Sequence, residues 1–131
     1  MRNVILAAVI GIAPSLFATA HAQEAGDVEA GRRIFNQCRA CHTIEQGGRN
    51  GVGPNLYGII GRRAASIESF RYSANMRELG EAGHVWTIEN IRPYVTDPKA
   101  VVPRGIMSFV GLRNPTQVND LLAYLQTQRA P

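Results

Sequence analysis

The sequence predicts a small, mainly helical domain on three observations. Apolar residues recur at three- and four-residue steps near the start of the chain, at Val28, Gly31, Ile34, Phe35 and Cys38. The same spacing returns near the end, at Val118, Leu121, Leu122 and Leu125. Neither the segment around Cys38 nor the glycine-rich run 46–54 shows an alternating strand pattern. We therefore expect a helix at each end of one domain, with irregular chain between them.

The first residues of the chain are typical of an export signal. Residues 1–3 form a short region with one positive charge, residues 4–20 are mostly apolar, and residues 20–22 read Ala-His-Ala, which fits a signal-peptidase site. The apolar run is interrupted and short for a membrane span, which disfavours an uncleaved anchor. We predict a cleaved signal peptide at 1–22, a mature domain at 23–131, and a periplasmic location.

The charge balance is mildly basic and limits the class of partner. The chain has 14 Lys and Arg against 10 Asp and Glu, a net charge of +4. A nucleic-acid-binding domain normally carries a denser basic stripe, so we expect no nucleic acid as partner. The surplus is compatible with docking to an acidic protein surface.

Gly31 falls inside the first predicted helix, where glycine costs about 1 kcal/mol relative to alanine. The position is either merely tolerated, or glycine is present because another helix crosses closely there. The final helix, opened by residues 114–116, is the candidate partner. We expect Gly31 and Phe35 to pack against Leu121 and Tyr124.

Two further local signals mark helix boundaries. Asp27 is a suitable N-cap for the first helix, and Thr87 for a helix through Ile88, Ile91, Tyr94 and Val95. Pro93 falls inside that second helix and should strain or kink it.

Residues 38–42 read Cys-Arg-Ala-Cys-His, the attachment pattern of a c-type haem. Each thiol can form a thioether to a porphyrin vinyl group, and the imidazole of His42 can bind the iron. A covalently held apolar ring would add burial to a small core, so we expect the chain without haem to be largely unfolded. Three alternatives stay open: a thioredoxin-like redox pair, a structural disulfide, and a zinc site that recruits His84 or a carboxylate.

The ligands and walls of such a site have candidates further along the chain. The carbonyl of Pro54 can accept the other ring N–H of His42. Met107 ends an irregular segment and can supply a thioether to the opposite face. The alternatives are Met76, which lies in a polar stretch expected to be exposed, His84, and an open sixth position. The expected pocket wall consists of Leu56, Ile59, Ile60, Phe70 and Tyr72.

Taken together, these residues resemble class I c-type cytochromes, closest to the group of bacterial cytochrome c2 and mitochondrial cytochrome c. The resemblance rests on residues 26–29, 31–35, 38–43, 53–58, 61–62, 94–99 and 121–125. It implies an all-α cytochrome c fold, with crossing terminal helices and one covalent haem c. The site residues that it implies are Cys38, Cys41, His42, Met107, Pro54, Arg62, Tyr72, Ser73, Asn75, Trp86, Tyr94 and Phe109. Candidate docking charges are Arg33, Arg39, Arg49, Lys99, Arg104 and Arg113.

The function that this resemblance implies is one-electron transport, without enzymatic activity. The expected donor is a quinol-oxidising membrane complex, contacted transiently, and the expected acceptor is an oxidase, a photosynthetic reaction centre or a peroxidase. The carrier itself is expected to be a monomer. Two other functions stay open: a dedicated haem subunit of a periplasmic dehydrogenase, and a five-coordinate haem that binds a gas or a peroxide.

Overall fold

A computed structural model describes residues 25–131, and this part of the chain is helical. The signal peptide predicted at 1–22 lies outside the described residues. The helices are α1 Val28–Phe35, α2 Ala74–Glu81, α3 Ile88–Thr96, α4 Pro98–Val101 and α5 Pro115–Thr127, with a 3₁₀ turn at Cys38–Ala40. The only β-pairing in the described range is an isolated bridge between Arg63 and Val85. The all-α fold class is confirmed.

Helices α1 and α3 begin at the caps that the sequence predicts, and α5 begins in the segment 114–116 that was expected to open it. The side chains of Asp27, Thr87 and Asn114 accept hydrogen bonds from backbone N–H groups three, three and two residues later, at 2.7, 3.2 and 2.9 Å. Each bond satisfies one of the N–H groups that have no partner within the helix. These local signals therefore fix where α1, α3 and α5 start.

Helices α1 and α5 cross with almost no space between their backbones. A Cβ atom built at Gly31 would overlap the carbonyl oxygen of Asp120, so only glycine fits there. The rings of Phe35 and Tyr124 pack with centroids 5.5 Å apart. The Asp27 backbone N–H also donates to the Asp120 carboxylate at 2.7 Å. The predicted crossing is confirmed, and Gly31 is required rather than tolerated.

The core extends from this crossing towards α3. Its buried side chains include Ile44, Ile59, Trp86, Ile91, Leu112, Val118, Leu121, Leu122 and Leu125. No charged or polar residue of the described range is fully buried. Over the same range, no helix has the length and apolar character that crossing a membrane requires.

Two helical features differ from expectation or extend it. Helix α2 is an addition, because residues 75–78 look like an exposed polar stretch in the sequence; Ser73 caps this helix by accepting from the Met76 N–H at 3.1 Å. Pro93 does lie inside α3, and the helix continues past it to Thr96.

Replacing Gly31 by valine tests the crossing. The added side chain must push α1 away from the α5 backbone, so we expect the free energy of unfolding to fall by about 2–3 kcal/mol. Arg33→Val, which places the same residue on the exposed side of α1, should cost less than about 1 kcal/mol. Guanidinium unfolding of both variants is the measurement, and equal losses would contradict a tight crossing.

Candidate functional site

A cavity of about 310 Å³ lies beside the crossing of α1 and α5. Phe35, Leu121 and Leu125 line it from these two helices, and Trp86 and Ile91 line it from the side of α3. The remaining lining comes from residues 37–42, 52–63, 70–76, 94–95 and 105–109. A largely apolar space of this kind suits a flat apolar ligand.

The Cys-x-x-Cys-His segment opens directly onto this cavity. The N–H groups of Cys41 and His42 both donate to the Cys38 carbonyl, at 3.1 and 2.9 Å. This tight turn places Cys38, Cys41 and His42 together in the cavity lining. One compact segment therefore presents two sulfurs and one imidazole to the same space.

The pairing and the pKa of the cysteines help to distinguish a haem site from a redox pair, a disulfide or a zinc site. Both thiols are free. Burial, followed by Coulombic repulsion from Cys41, raises the pKa of Cys38 to about 11, whereas reactive redox pairs have lowered thiol pKa values. Within residues 25–131, no three His, Cys, Asp or Glu side chains are grouped so that they could hold a metal ion. The zinc alternative thus lacks a ligand set in the described part of the chain.

The imidazole of His42 is held in one orientation. Its Nδ1 lies 2.7 Å from the Pro54 carbonyl oxygen, which is the contact expected from the sequence. Since a carbonyl only accepts, Nδ1 carries the proton and Nε2 keeps its lone pair. Burial lowers the pKa of His42, which favours this neutral form.

The glycine-rich loop is shaped around that imidazole. The Gly53 N–H donates to the Cys41 carbonyl at 2.8 Å, and a Cβ atom at Gly53 would overlap the His42 ring. The loop backbone therefore reaches His42 as closely as it does only because residue 53 has no side chain.

Met107 and Tyr94 form a second polar contact in the lining. The Tyr94 hydroxyl donates to the Met107 sulfur at 3.9 Å, a weak hydrogen bond of the length that sulfur acceptors give. Burial raises the pKa of Tyr94 to about 12, so the phenol stays protonated at neutral pH. This hydrogen bond occupies one lone pair of the Met107 sulfur, and the other lone pair remains available for coordination.

The two competitors for the role of Met107 differ in position. Met76 is half-buried and lines the cavity, because it lies on the inner side of α2 rather than in an exposed stretch as expected. His84 is absent from the cavity lining. Its ring packs edge-on against Trp86, with centroids 4.7 Å apart, and its buried Nε2 has no hydrogen-bond partner.

Most of the remaining residues implied by the resemblance also reach the cavity. Pro54, Arg62, Tyr72, Ser73, Trp86, Tyr94 and Phe109 all line it. The Arg62 guanidinium donates to the Asn55 carbonyl at 2.8 Å and to the Tyr57 carbonyl, and burial lowers its pKa. Tyr72 is partly buried, which raises the pKa of its phenol.

Asn75 is the exception among the residues that the resemblance implies. It does not line the cavity, since α2 turns its neighbours Ser73 and Met76 inward and leaves Asn75 on another face. Its side-chain oxygen instead accepts the Arg104 N–H at 3.2 Å. Asn75 therefore connects α2 to the segment that precedes Met107.

Half of the six candidate docking charges are in ion pairs. Ion pairs join Arg39 to Glu45 at 2.8 Å, Arg104 to Glu78 at 3.3 Å and Arg113 to Asp97 at 3.5 Å. The hydrogen bond with Arg39 lowers the pKa of Glu45 to about 2, which keeps that carboxylate charged at neutral pH. The Lys99 ammonium donates to the Gly105 carbonyl at 2.6 Å, and Arg33 and Arg49 are exposed.

Several lining residues were not expected from the sequence. Phe35, Leu121 and Leu125 read as core between helices, although the i, i+4 spacing of Leu121 and Leu125 could have indicated a shared face. Val52 and Ile106 lie in irregular segments, where no periodic signal marks them. Ile60, which was expected in the wall, packs against the core instead.

Comparison with known proteins agrees with this geometry. The model of the family described as Cytochrome c matches residues 28–129. A cytochrome c2 of Afifella marina is 42% identical over 100 residues, covering 76% of this chain and 81% of the relative. A cytochrome c-550 of Ancylobacter novellus is 44% identical over 100 residues, covering 76% and 94%. The solved structure of ferricytochrome c2 from Rhodopseudomonas palustris superposes with a TM-score of 0.71 at 38% identity, covering 78% and 98%.

Tyr94→Phe tests the burial of the phenol through the pH dependence of stability. With a folded pKa of about 12 and an unfolded pKa near ~10, the unfolded chain loses this proton first as the pH rises. The stability that the neutral phenol contributes is complete below pH ~10 and is lost towards pH ~12. We expect the wild type to lose about 2 kcal/mol more than the Tyr94→Phe variant between pH ~9 and ~11.5.

Denaturant unfolding across that pH range is the measurement, with Tyr57→Phe as the matched control. Parallel profiles for the wild type and the Tyr94→Phe variant would contradict a buried phenol.

Proposed function

Because this chain belongs to the cytochrome c family, we propose that it is an exported, soluble carrier of single electrons between a quinol-oxidising membrane complex and a terminal acceptor. Membership of the family makes the chain a haem c protein that carries electrons and is not an enzyme. The export, the partners and the roles of individual residues belong to the proposal. The observation that carries it is the apolar cavity onto which Cys38, Cys41, His42 and Met107 all open.

The residues of the cavity fit a covalent haem. Cys38 and Cys41 are free thiols on one turn and would form the two thioether bonds. His42 would bind the iron through Nε2, since Nδ1 is committed to the Pro54 carbonyl. The missing Cβ atom of Gly53 gives the His42 ring the room that it needs. The fit therefore rests on chemistry and space that the chain itself provides.

The opposite ligand would be Met107. Its thioether is a neutral, soft donor, and the Tyr94 hydroxyl orients it. Arg62, Tyr72 and Trp86 lie in the same lining and would face the carboxylates of the haem. Met76 lines the cavity as well, but no polar group holds its sulfur among the hydrogen bonds of the described residues.

The chain is suited to electron transfer without proton transfer. Haem c supplies an iron centre that accepts and releases one electron. The cavity lining is largely apolar, and a thioether ligand in apolar surroundings favours a high reduction potential. His42 keeps its Nδ1 proton on the Pro54 carbonyl, and Tyr94 stays protonated because burial raises its pKa to about 12.

The proposed location and partners follow from the signal sequence and from the mode of transfer. A mature chain of 23–131 in the periplasm can move between a quinol-oxidising donor and an oxidase, a reaction centre or a peroxidase. Carriers of this kind use small, short-lived contacts, so the chain is proposed to be a monomer.

Met107→His tests the ligand assignment. Replacing a thioether by an imidazole should lower the reduction potential by on the order of 100 mV, because axial ligands set much of the haem potential. Met76→Leu is the matched control, since this other thioether of the lining should leave the potential nearly unchanged. Potentiometric titration with optical detection is the measurement. A larger shift of the reduction potential for Met76→Leu than for Met107→His would indicate that Met76, in α2, is the ligand.

Export can be tested on the intact protein. We expect the periplasmic fraction to contain a chain that begins at Gln23, with a mass increased by one haem bound at both Cys38 and Cys41. Intact-mass and peptide mass spectrometry after fractionation are the measurements, and Cys41→Ala should leave a single thioether. A membrane-bound chain that begins at Met1 would contradict cleavage, and unmodified thiols would contradict haem attachment.

A further inference from the structure

A second cavity, of about 250 Å³, lies between α3 and α5 and is here called the α3–α5 groove. It shares no lining residue with the cavity beside the 3₁₀ turn, so it is a separate site. Its walls include Ile88, Glu89 and Arg92 of α3 and Asn119, Leu122 and Ala123 of α5.

The described chain begins in the wall of this groove, since Ala25 and Gly26 also line it. A Cβ atom at Gly26 would overlap the Asn119 carbonyl, so the backbone lies directly on α5 at this point. The next residue is fastened to the same helix, because the Asp27 N–H donates to the Asp120 carboxylate at 2.7 Å. The residues that precede Ala25 therefore start from a fixed point at the groove.

Only two residues of the proposed mature chain precede Ala25. Cleavage after Ala22 leaves Gln23 and Glu24, and two residues span at most about 7 Å when fully extended. A segment of this length does not reach a distant face of the domain. The N-terminal end of the mature chain therefore lies close to the α3–α5 groove in any conformation.

The groove combines an apolar floor with a half-buried cation. Leu122 is 2% exposed, and Ile88 and Ala123 are half-buried. The Arg92 guanidinium donates to the Asn119 side-chain oxygen at 2.6 Å, and this bond holds it in the lining. A guanidinium has five N–H donors and pairs well with a carboxylate. The groove is therefore suited to a short segment that carries an acidic side chain.

Glu89 is the other charged residue among the described residues of the lining, and it lies one turn before Arg92. Its side chain is exposed, so water and salt screen its carboxylate, whereas Arg92 is half-buried. A carboxylate bound directly to Arg92 therefore gains more from the guanidinium than it loses to repulsion by Glu89.

We propose that the α3–α5 groove seats the N-terminal end of this chain's own mature form, with the Glu24 carboxylate bound to Arg92. The inference rests on the export and cleavage that belong to the proposed function. Residues 23–24 then connect α1, through Ala25, to α3, through Arg92. Ile91, the neighbour of Arg92, lines the cavity beside the 3₁₀ turn, so the seated segment steadies one wall of that cavity.

Nuclear magnetic resonance of the reduced holoprotein shows where residues 23–24 lie. We expect nuclear Overhauser contacts from Glu24 to Ile88 and Ala123, and an order parameter at the Glu24 amide close to the values in α1. Residues 23–24 that move freely and make no such contact would overturn the proposal. Resonances of Ile88 and Ala123 that shift with protein concentration, without a contact to Glu24, would assign the groove to a second copy and overturn it as well.

Glu24→Gln and Glu68→Gln form a matched pair of variants. Each removes one negative charge, but Glu68 lies in an exposed turn outside the groove. At low salt, we expect Glu24→Gln to raise the unfolding equilibrium constant of the holoprotein about threefold and Glu68→Gln to change it by less than about 1.5-fold. In an Arg92→Gln background the effect of Glu24→Gln should vanish, because the double-mutant cycle isolates the pair. Guanidinium unfolding is the measurement, and an undiminished effect in that background would overturn the pairing.

The intact mass and the redox behaviour separate this inference from the proposed function. A chain that begins at Met1 would overturn cleavage and the seating of the N-terminal end together. A chain that begins at Gln23 with freely moving residues 23–24 would overturn the seating alone. A holoprotein that does not change oxidation state would overturn electron transport alone, since the contacts of Glu24 do not depend on it.

Discussion

The approach of two backbones at Gly31 is the constraint on which the rest of the structure depends. With no Cβ atom between α1 and the Asp120 carbonyl, Phe35 reaches Tyr124, and the end of α1 is fixed relative to α5. The 3₁₀ turn that follows α1 carries Cys38 to the cavity that Phe35 itself lines. One close contact therefore fixes both the core and the position of the attachment segment. A wider crossing would move the thiols and admit water to the same space.

The loop around Pro54 keeps the imidazole of His42 neutral and in one orientation. Burial alone would favour the neutral form of His42 but would leave its tautomer and its rotation free. The Pro54 carbonyl selects the tautomer, and the backbone of Gly53 packs against the ring. Proline suits this position because its carbonyl accepts while it has no N–H group that would need a partner of its own. The orientation of the ligand is thus encoded in backbone groups rather than in other side chains.

The sequence predicted those features that depend on contacts between residues close together in the chain, and those whose residue spacing has only one good explanation. The caps at Asp27 and Thr87 and the start of α5 at residues 114–116 depend on contacts two or three residues away, and they were predictable for that reason. Helix α2 was missed because its eight residues hold few apolar side chains, so its helical periodicity is weak. The position of Asn75 outside the cavity lining was hidden for the same reason, since without the helix nothing indicates which of residues 73–76 face inward. Arg104 and Glu78 are 26 residues apart, and no local pattern predicts such a pair.

Helix α2 connects the fold to the charge distribution at the cavity mouth. It contributes Asn75, which accepts the Arg104 N–H, and Glu78, which pairs with the Arg104 guanidinium. Both contacts fasten α2 to the segment that leads to Met107, so they restrict the movement of that sulfur. An exposed ion pair contributes at most about 1 kcal/mol, which is too little to explain the pair by stability alone. The electrostatic effect of the pair does not depend on that energy. Glu78 of α2 neutralises the positive charge of Arg104, two residues before Ile106, and the Ile106 side chain faces the solvent.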